Sequence, residues 1–326
     1  MNYRKFGNTE LVVSEIGFGA WAIGGPAMIG NLPIGWSNVD DNTSIEALKK
    51  SFDLGINFYD TADFYGFGHS EELIGKVFGN RSDVIIATKV GHRVENNQIL
   101  LDYTKSHILK SCDESLKRLK RDVIDFYQLH SAKLTHLEDG QCIEAMEELK
   151  SQGKIRYWGI SLNTFNPYPE AEFLMQRNLG DGFQVAFNII NQRALKLIET
   201  SSEKAYGIIA RIPLQFGLLT GKFTKETRFS EDDHRSFRLK PEFLSELLDS
   251  LDDVWKISNK YKVDKVTFAL SFIMNHKGVS TVIPGIKTPE QAIKNTQPLI
   301  KISQEDLDLI HHLFEIKFDS LVSKMA

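Results

Sequence analysis

Residues 57–66 read N-F-Y-D-T-A-D-F-Y-G. A short apolar run with the look of a buried strand stops at Asp60, and Tyr65 follows within the same stretch. The pattern recurs along the chain. I-I-A-T-K (85–89) ends at Lys89, I-D-F-Y-Q-L-H (124–130) at His130 and W-G-I-S (158–161) at Ser161, while G-I-I-A-R-I-P-L (207–214) carries Arg211. Parallel (β/α) barrels keep their catalytic groups at strand ends of this kind, on one rim. An acid, a base, a phenol and an imidazole converging there outline an active site.

Working outward, apolar runs recur at 16–20, 56–59, 84–87, 124–129, 156–160, 183–187, 208–210 and 279–283. Helical periodicity lies between them, at 43–54, 70–78, 104–119, 140–151, 169–177 and 264–275. Alternating strands and helices predict a parallel sheet with crossovers, and eight strands predict closure into a (β/α)8 TIM barrel. Residues 1–326 are read as one such domain. Two β-like runs around Gly7-Asn8-Thr9 predict an N-terminal β-hairpin. Residues 217–241 are polar and aperiodic, a long loop after strand seven that either folds over a ligand or extends into solvent. In 304–318, Leu307, Ile310, Leu313, Phe314 and Phe318 predict a C-terminal helix on the outside of the barrel. His311-His312 within it is no metal pair, because adjacent helix positions point apart. No metal site is expected.

Composition excludes several classes. The 326 residues are 42% apolar and 25% charged, which is globular rather than disordered. A net charge of -4 gives no reason to expect nucleic acid or an anionic membrane. No run reaches membrane-spanning length and M-N-Y-R-K-F-G-N lacks a signal-peptide core, so the expected setting is the cytoplasm. Cys112 and Cys142, the two cysteines, are read as small buried hydrophobes. The basic run 117–121 (K-R-L-K-R) is read as a solvated helix end rather than a polyanion site.

The rim residues make chemical sense together. Free tyrosine, with a pKa of roughly 10, is a poor acid near neutrality. A neighbouring cation such as Lys89 favours its phenolate. Asp60 would hold Lys89 charged and in place, and His130 would either donate to a substrate oxygen or orient the phenol. Such a group can protonate a carbonyl oxygen as it becomes an alkoxide. No side chain supplies a hydride, so a nicotinamide cofactor is implied.

Longer motifs narrow this further: 11–21 (L-V-V-S-E-I-G-F-G-A-W), 55–66, 70–75 (S-E-E-L-I-G), 87–89 (A-T-K), 115–130 (S-L-K-R-L-K-R-D-V-I-D-F-Y-Q-L-H), 153–161 (G-K-I-R-Y-W-G-I-S), 217–222 (G-L-L-T-G-K) and 283–291 (I-P-G-I-K-T-P-E-Q). In this order, over nearly the whole chain, they resemble the aldo-keto reductase family, in its bacterial NADP-dependent type. The resemblance implies a barrel that reduces an aldehyde or ketone with NADPH or, less often, NADH. It implies Asp60, Tyr65, Lys89 and His130 as catalytic tetrad, with Tyr65 as acid. For the cofactor it implies Gly19 and Trp21 under the nicotinamide and Ser161 and Gln184 at its carboxamide. It implies Pro213, Leu214, Gly217 and Lys222 along the pyrophosphate, and Lys287, Thr288, Gln291 and Asn295 at the adenosine end. A cation at Lys287 would suit a 2′-phosphate.

Three positions depart from the family. Ser161-Leu162-Asn163 stands where many relatives have Asn directly after Ser, so Asn163 substitutes or that contact is missing. Arg211 stands where many stack a tyrosine on the nicotinamide. A guanidinium can stack there too, or it can turn toward a substrate anion or the 217–241 loop. Gln291 stands where many NADP-specific members carry arginine. The G-F-G-A-W-A of 17–22 mimics a dinucleotide fingerprint, but loop rather than helix follows, so a Rossmann reading is rejected.

Trp21, Trp36, Phe64 and His92 are expected at the substrate pocket, facing an aldehyde or ketone, a sugar or another small carbonyl compound. Two other functions compete with carbonyl reduction. One is a Schiff-base enzyme using an unpaired Lys89. The other is a cofactor-sensing binding subunit like the potassium-channel β subunits, which resemble the same family. Monomer and homo-oligomer both remain open.

Overall fold

The computed structural model describes every residue except Asn31, Asn38, Asn80, Asp232, His234 and Ala326. Its centre is an eight-stranded parallel sheet. We label the strands β1 (Phe18–Gly19), β2 (Phe58–Asp60), β3 (Ile85–Val90), β4 (Ile124–His130), β5 (Ile155–Ser161), β6 (Gly182–Ala186), β7 (Gly207–Arg211) and β8 (Thr281–Val282). Each pairs with the next in chain order. Closure comes from parallel bridges Ile16↔Val282 and Gly19↔Gly285. Gly17 N donates to the Val282 carbonyl at 2.8 Å and Gly19 N to the Pro284 carbonyl at 3.0 Å. A Cβ on Gly19 would meet the Ile283 carbonyl oxygen at 2.8 Å, so closure needs glycine there. All eight expected strands are present, and the fold is the expected (β/α)8 barrel.

Side chains alternate along a strand, so one inward row can change character in two residues. At the lower level the interior is apolar: Phe58, Ala87, Phe126, Ile209 and Ile283 pack with Phe6, Leu11 and Val13. Those last three come from the predicted hairpin, Tyr3–Lys5 paired antiparallel with Val12–Ser14. Phe6 lies so close that a Cβ on Gly182 or Gly207 would strike its ring at 2.7 or 2.5 Å. Arg4 fastens this plug by donating to Glu15 Oε1, the Val279 carbonyl and the Met274 carbonyl at 2.8–2.9 Å.

The helices cover the outside. Six match the expected patterns, among them Asp41–Asp53, where Asp40 caps by accepting from Thr43 N, and Lys265–Met274, capped by Asp264. Others are additions, among them Leu195–Glu203 and the 19-residue Pro241–Asn259. The second has Pro at its first position and buries Leu244, Leu247, Leu251 and Val254, a signal present in the sequence. The 217–241 stretch is not wholly irregular. It begins within a 3-10 segment, Gln215–Thr220, and carries a short helix, Arg235–Arg238. The tail is helix Gln304–Leu313, a π turn Phe314–Phe318 and helix Asp319–Ser323.

The basic run corrects one expectation. Arg118 Nε donates to the buried Glu71 Oε2 at 2.7 Å, and Arg121 donates to the Val84 carbonyl at 3.0 Å. These arginines hold the helix Lys105–Leu119 to its neighbours, whereas Lys117 and Lys120 are exposed as read. Cys112 and Cys142 are free and buried, and burial raises both thiols, to about 12 and about 11. No helix among the described residues is long and apolar enough to cross a membrane.

Candidate active site

Two residues above the apolar layer, the same inward rows become polar. Phe58 is followed by Asp60, Ala87 by Lys89, and Phe126 by Gln128 and then His130. Register aligns them: Lys89 pairs with Gln128, His130 with Ser161, Ser161 with Gln184 and Ala186 with Arg211. The sequence-predicted residues therefore lie on one rim, at the carboxyl ends of the strands.

Lys89 is fully buried and Asp60 is 2% exposed. Lys89 Nζ lies 2.6 Å from Asp60 Oδ1, 2.7 Å from the Thr61 carbonyl and 3.3 Å from Tyr65 Oη. Burial pulls the ammonium down, but the Asp60 carboxylate and then Tyr65 outweigh it, so Lys89 titrates above the ordinary lysine range. An ammonium only donates, so Tyr65 Oη accepts from Lys89 and its own O–H is turned elsewhere. A lysine paired with Asp60 in this way is poorly suited to act as a Schiff-base nucleophile, which weighs against that reading.

Asp60 has a second set of partners, Gln184, expected at the carboxamide, and Gln128, which the sequence reading did not single out. Gln184 Nε2 donates to Asp60 Oδ2 at 2.7 Å and Gln128 Nε2 to the same oxygen at 3.0 Å. Gln184 Nε2 also approaches Gln128 Oε1 at 3.2 Å. Gln128 was legible only as the inward residue two before His130. Behind the site Asp63 is half-buried, and desolvation first and Glu71 second push its carboxyl well above the usual range.

His130 stands edge-to-face to Tyr65, ring centroids 6.0 Å apart, and its Nδ1 has no partner among the described residues. Burial, then His92, Lys89 and Arg211, hold its pKa well below the ordinary histidine value. His92 lies against it at 4.2 Å and is lowered to about 4, by burial and then by Lys89. Phe64 packs on His92 at 5.2 Å. On the other side Trp21 is 6.4 Å from Tyr65 and 5.8 Å from Trp36. The four expected pocket residues thus flank Tyr65 and His130 as two aromatic walls.

Arg211 turns toward the loop after β5, not toward the 217–241 stretch. One guanidinium nitrogen donates to the Leu162 carbonyl at 3.0 Å and to Thr164 Oγ1 at 2.9 Å. Its Nε is buried with no partner among the described residues. Asn163 is exposed and its Oδ1 accepts from Phe165 N and Asn166 N. Those two bonds close a local turn. Ser161 is buried at the end of β5.

Beyond β7, Pro213 and Leu214 lead into the 3-10 segment, where Gly217 adopts φ 97°. Lys222 is exposed. At the other end Thr288 caps helix Pro289–Asn295 by accepting from Gln291 N. Gln291 Oε1 accepts from Lys287 N at 2.8 Å, and Asn295 is buried, its Nδ2 3.5 Å from the Gly285 carbonyl. A second cation, Arg235, lies near Lys287 and is ion-paired to Asp233. Burial, and after it Arg235, lower the Lys287 ammonium, with Asp233 acting the other way. The guanidinium of Arg235 also lies 4.9 Å over the Trp36 ring, joining the long loop to the pocket wall.

Comparison with known proteins identifies the family. The model of the Aldo/keto reductase family matches residues 15–315. Aldo-keto reductase YhdN of Bacillus subtilis (strain 168) is 32% identical over 311 residues, covering 89% of this chain and 86% of its own. The NADH-specific methylglyoxal reductase of Escherichia coli (strain K12) is 28% identical, covering 95% and 97%. The solved holo form of aldo-keto reductase AKR11C1 from Bacillus halodurans superimposes with a TM-score of 0.77 at 29% identity, covering 96% of each chain. Barrel, motifs and comparisons agree: the chain belongs to the aldo/keto reductase family, oxidoreductases that use a nicotinamide cofactor.

Proposed function

We propose that this protein is a cytosolic, NADP(H)-dependent reductase that converts a small aldehyde or ketone to its alcohol, with Tyr65 as general acid. The observation that carries this reading is the contact of a buried, Asp60-paired Lys89 with Tyr65 Oη. The bound cofactor supplies the hydride. Tyr65 delivers its proton to the carbonyl oxygen as charge develops there, and the Lys89 ammonium stabilises the phenolate left behind. Asp60 keeps Lys89 charged and aimed. His130, neutral in its buried setting, shares the substrate oxygen with Tyr65 or orients it.

The residues present fit a nicotinamide cofactor. Gln184 Nε2 is committed to Asp60, which leaves its Oε1 for a carboxamide N–H. Ser161 stands beside it in register, and the unpartnered Nε of Arg211 offers a donor on the same rim. Lys287 is the cation that suits a 2′-phosphate, with Arg235 nearby but ion-paired to Asp233, which favours NADPH while NADH remains usable. The intact Asp60–Lys89–Tyr65 linkage favours an enzyme over a binding subunit.

Turnover of a carbonyl panel with NADPH tests the reading. Tyr65→Phe should lose roughly 10²–10⁴-fold in rate with cofactor affinity near wild type. A Phe variant with full turnover would remove Tyr65 as the acid. Lys287→Ala should weaken NADPH by about ten- to a hundredfold more than NADH. Equal losses in fluorescence titration would deny it the 2′-phosphate.

A further inference from the structure

His276 and His311 meet on the outer side of the barrel, far from the rim in sequence and unused by the chemistry above. His276 follows helix Lys265–Met274 and His311 lies in the last turn of Gln304–Leu313. Their outer nitrogens are both committed as donors. His276 Nδ1 is 2.8 Å from the Phe272 carbonyl and 3.3 Å from that of Ile273, so it must carry a hydrogen. His311 Nδ1 faces Gln192 Oε1. The orientation of that amide is fixed, because Gln192 Nε2 donates to the Ile189 carbonyl at 2.9 Å and the Ile310 carbonyl at 3.3 Å. Reversing it would set an oxygen against two carbonyls. His311 Nδ1 therefore also carries the hydrogen.

A neutral imidazole has one N–H. Both Nε2 atoms consequently present lone pairs, and they stand 3.4 Å apart. Two acceptors at that separation repel unless a cation lies between them. We propose that His276 and His311 form a clip for a divalent transition-metal ion of the zinc class, completed by water. The spacing fits: tetrahedral zinc with Zn–N bonds of about 2.0–2.1 Å spans about 3.4 Å between two nitrogens. The ring centroids are 5.3 Å apart with planes at 71°, so the rings are bent relative to each other rather than aligned end-on. Each ring also has the outer hydrogen bond to an oxygen that metal-bound histidines make. Burial, the largest influence, holds His311 below the ordinary histidine value and so keeps the ring neutral with its lone pair available, while the carboxylates of Asp308, Glu199 and Glu315 act the other way. Imidazole selects zinc, nickel or copper over magnesium and calcium. No group of three or more metal-binding side chains occurs among the described residues, so the ion is exchangeable, not built in. Bound, it would fasten the C-terminal helix to the barrel wall.

Calorimetric titration of the chelator-stripped full chain with Zn²⁺ tests this, with Mg²⁺ as the hard-ion comparison. One Zn²⁺ per chain should bind and raise Tm, and Mg²⁺ should do neither. His311→Ala and His276→Gln should each weaken Zn²⁺ at least tenfold while carbonyl reduction continues. His312→Ala, one position along the helix, should bind as wild type. Co²⁺ absorption of the unmutated protein reads tetrahedral coordination directly, without dependence on how the variants fold. No stoichiometric Zn²⁺ uptake by wild type, as when the two nitrogens share a proton instead, overturns the proposal. Uptake that survives both substitutions overturns it as well.

Discussion

The barrel interior has two layers made from the same strands. The lower one is Phe58, Ala87 and Phe126, sealed by Phe6 of the hairpin. The upper one is Asp60, Lys89, Gln128 and Gln184, joined through Asp60 by bonds of 2.6–3.0 Å. Below, contact is non-directional and stability scales with apolar area removed from water. Above, a buried charge persists only because each oxygen and each N–H has a partner. The lower layer should therefore report on stability alone, whereas the upper should report on stability and turnover together.

The largest expected effect breaks the upper layer. Lys89→Met leaves Asp60 charged and buried, which costs about 3–5 kcal/mol and removes the cation beside Tyr65. Urea denaturation and turnover should both collapse. A Lys89→Met protein that unfolds at the wild-type midpoint would contradict the buried pair. In the lower layer, Phe6→Ala should cost about 3 kcal/mol through the cavity it leaves against Gly182 and Gly207. Turnover per folded molecule should stay near wild type. A fall in kcat larger than the folded fraction explains would show that the two layers are coupled.

The smallest effect concerns pH. His92 titrates at about 4 in the fold, against about 6.5 in an unfolded chain. Above pH 6.5 both states are neutral and His92 costs nothing. As pH falls from there toward 4, the unfolded chain takes up a proton the fold refuses, and stability is lost. His130 acts in the same direction. His92→Phe keeps an aromatic wall but removes that uptake, so Tm should fall less steeply between pH 7 and pH 5. Parallel Tm profiles for wild type and variant would mean that His92 is not buried as described.

Much of the site was legible because it is carried by strand ends. Asp60, Lys89 and His130 each follow an apolar run, and alternation turns all three inward. Gln128 was equally inward but looked like one polar residue inside a strand. Only its distance to Asp60, 68 positions away, gives it a role. Arg235 sits in an aperiodic stretch with no local pattern to mark it, and it gains meaning from Trp36 and Lys287. The orientation of Arg211 was likewise open, because a long side chain is placed by whichever acceptors surround it. Here those are Leu162 and Thr164. Helix Pro241–Asn259 carried its own signal, Pro at the start and leucines at helical spacing.

By itself the sequence determined what repeats or is local: eight strands, the crossovers, the hairpin and the candidate tetrad. Those rest on the two-residue period of a strand and the 3.6-residue period of a helix. The tertiary structure decided what depends on partners far along the chain. It brought two glutamines to one carboxylate, set Arg235 near Lys287 and faced His276 against His311. Charge state and hydrogen-bond direction depend on burial and on the nearest polar atom in space, and chain order does not encode either one locally.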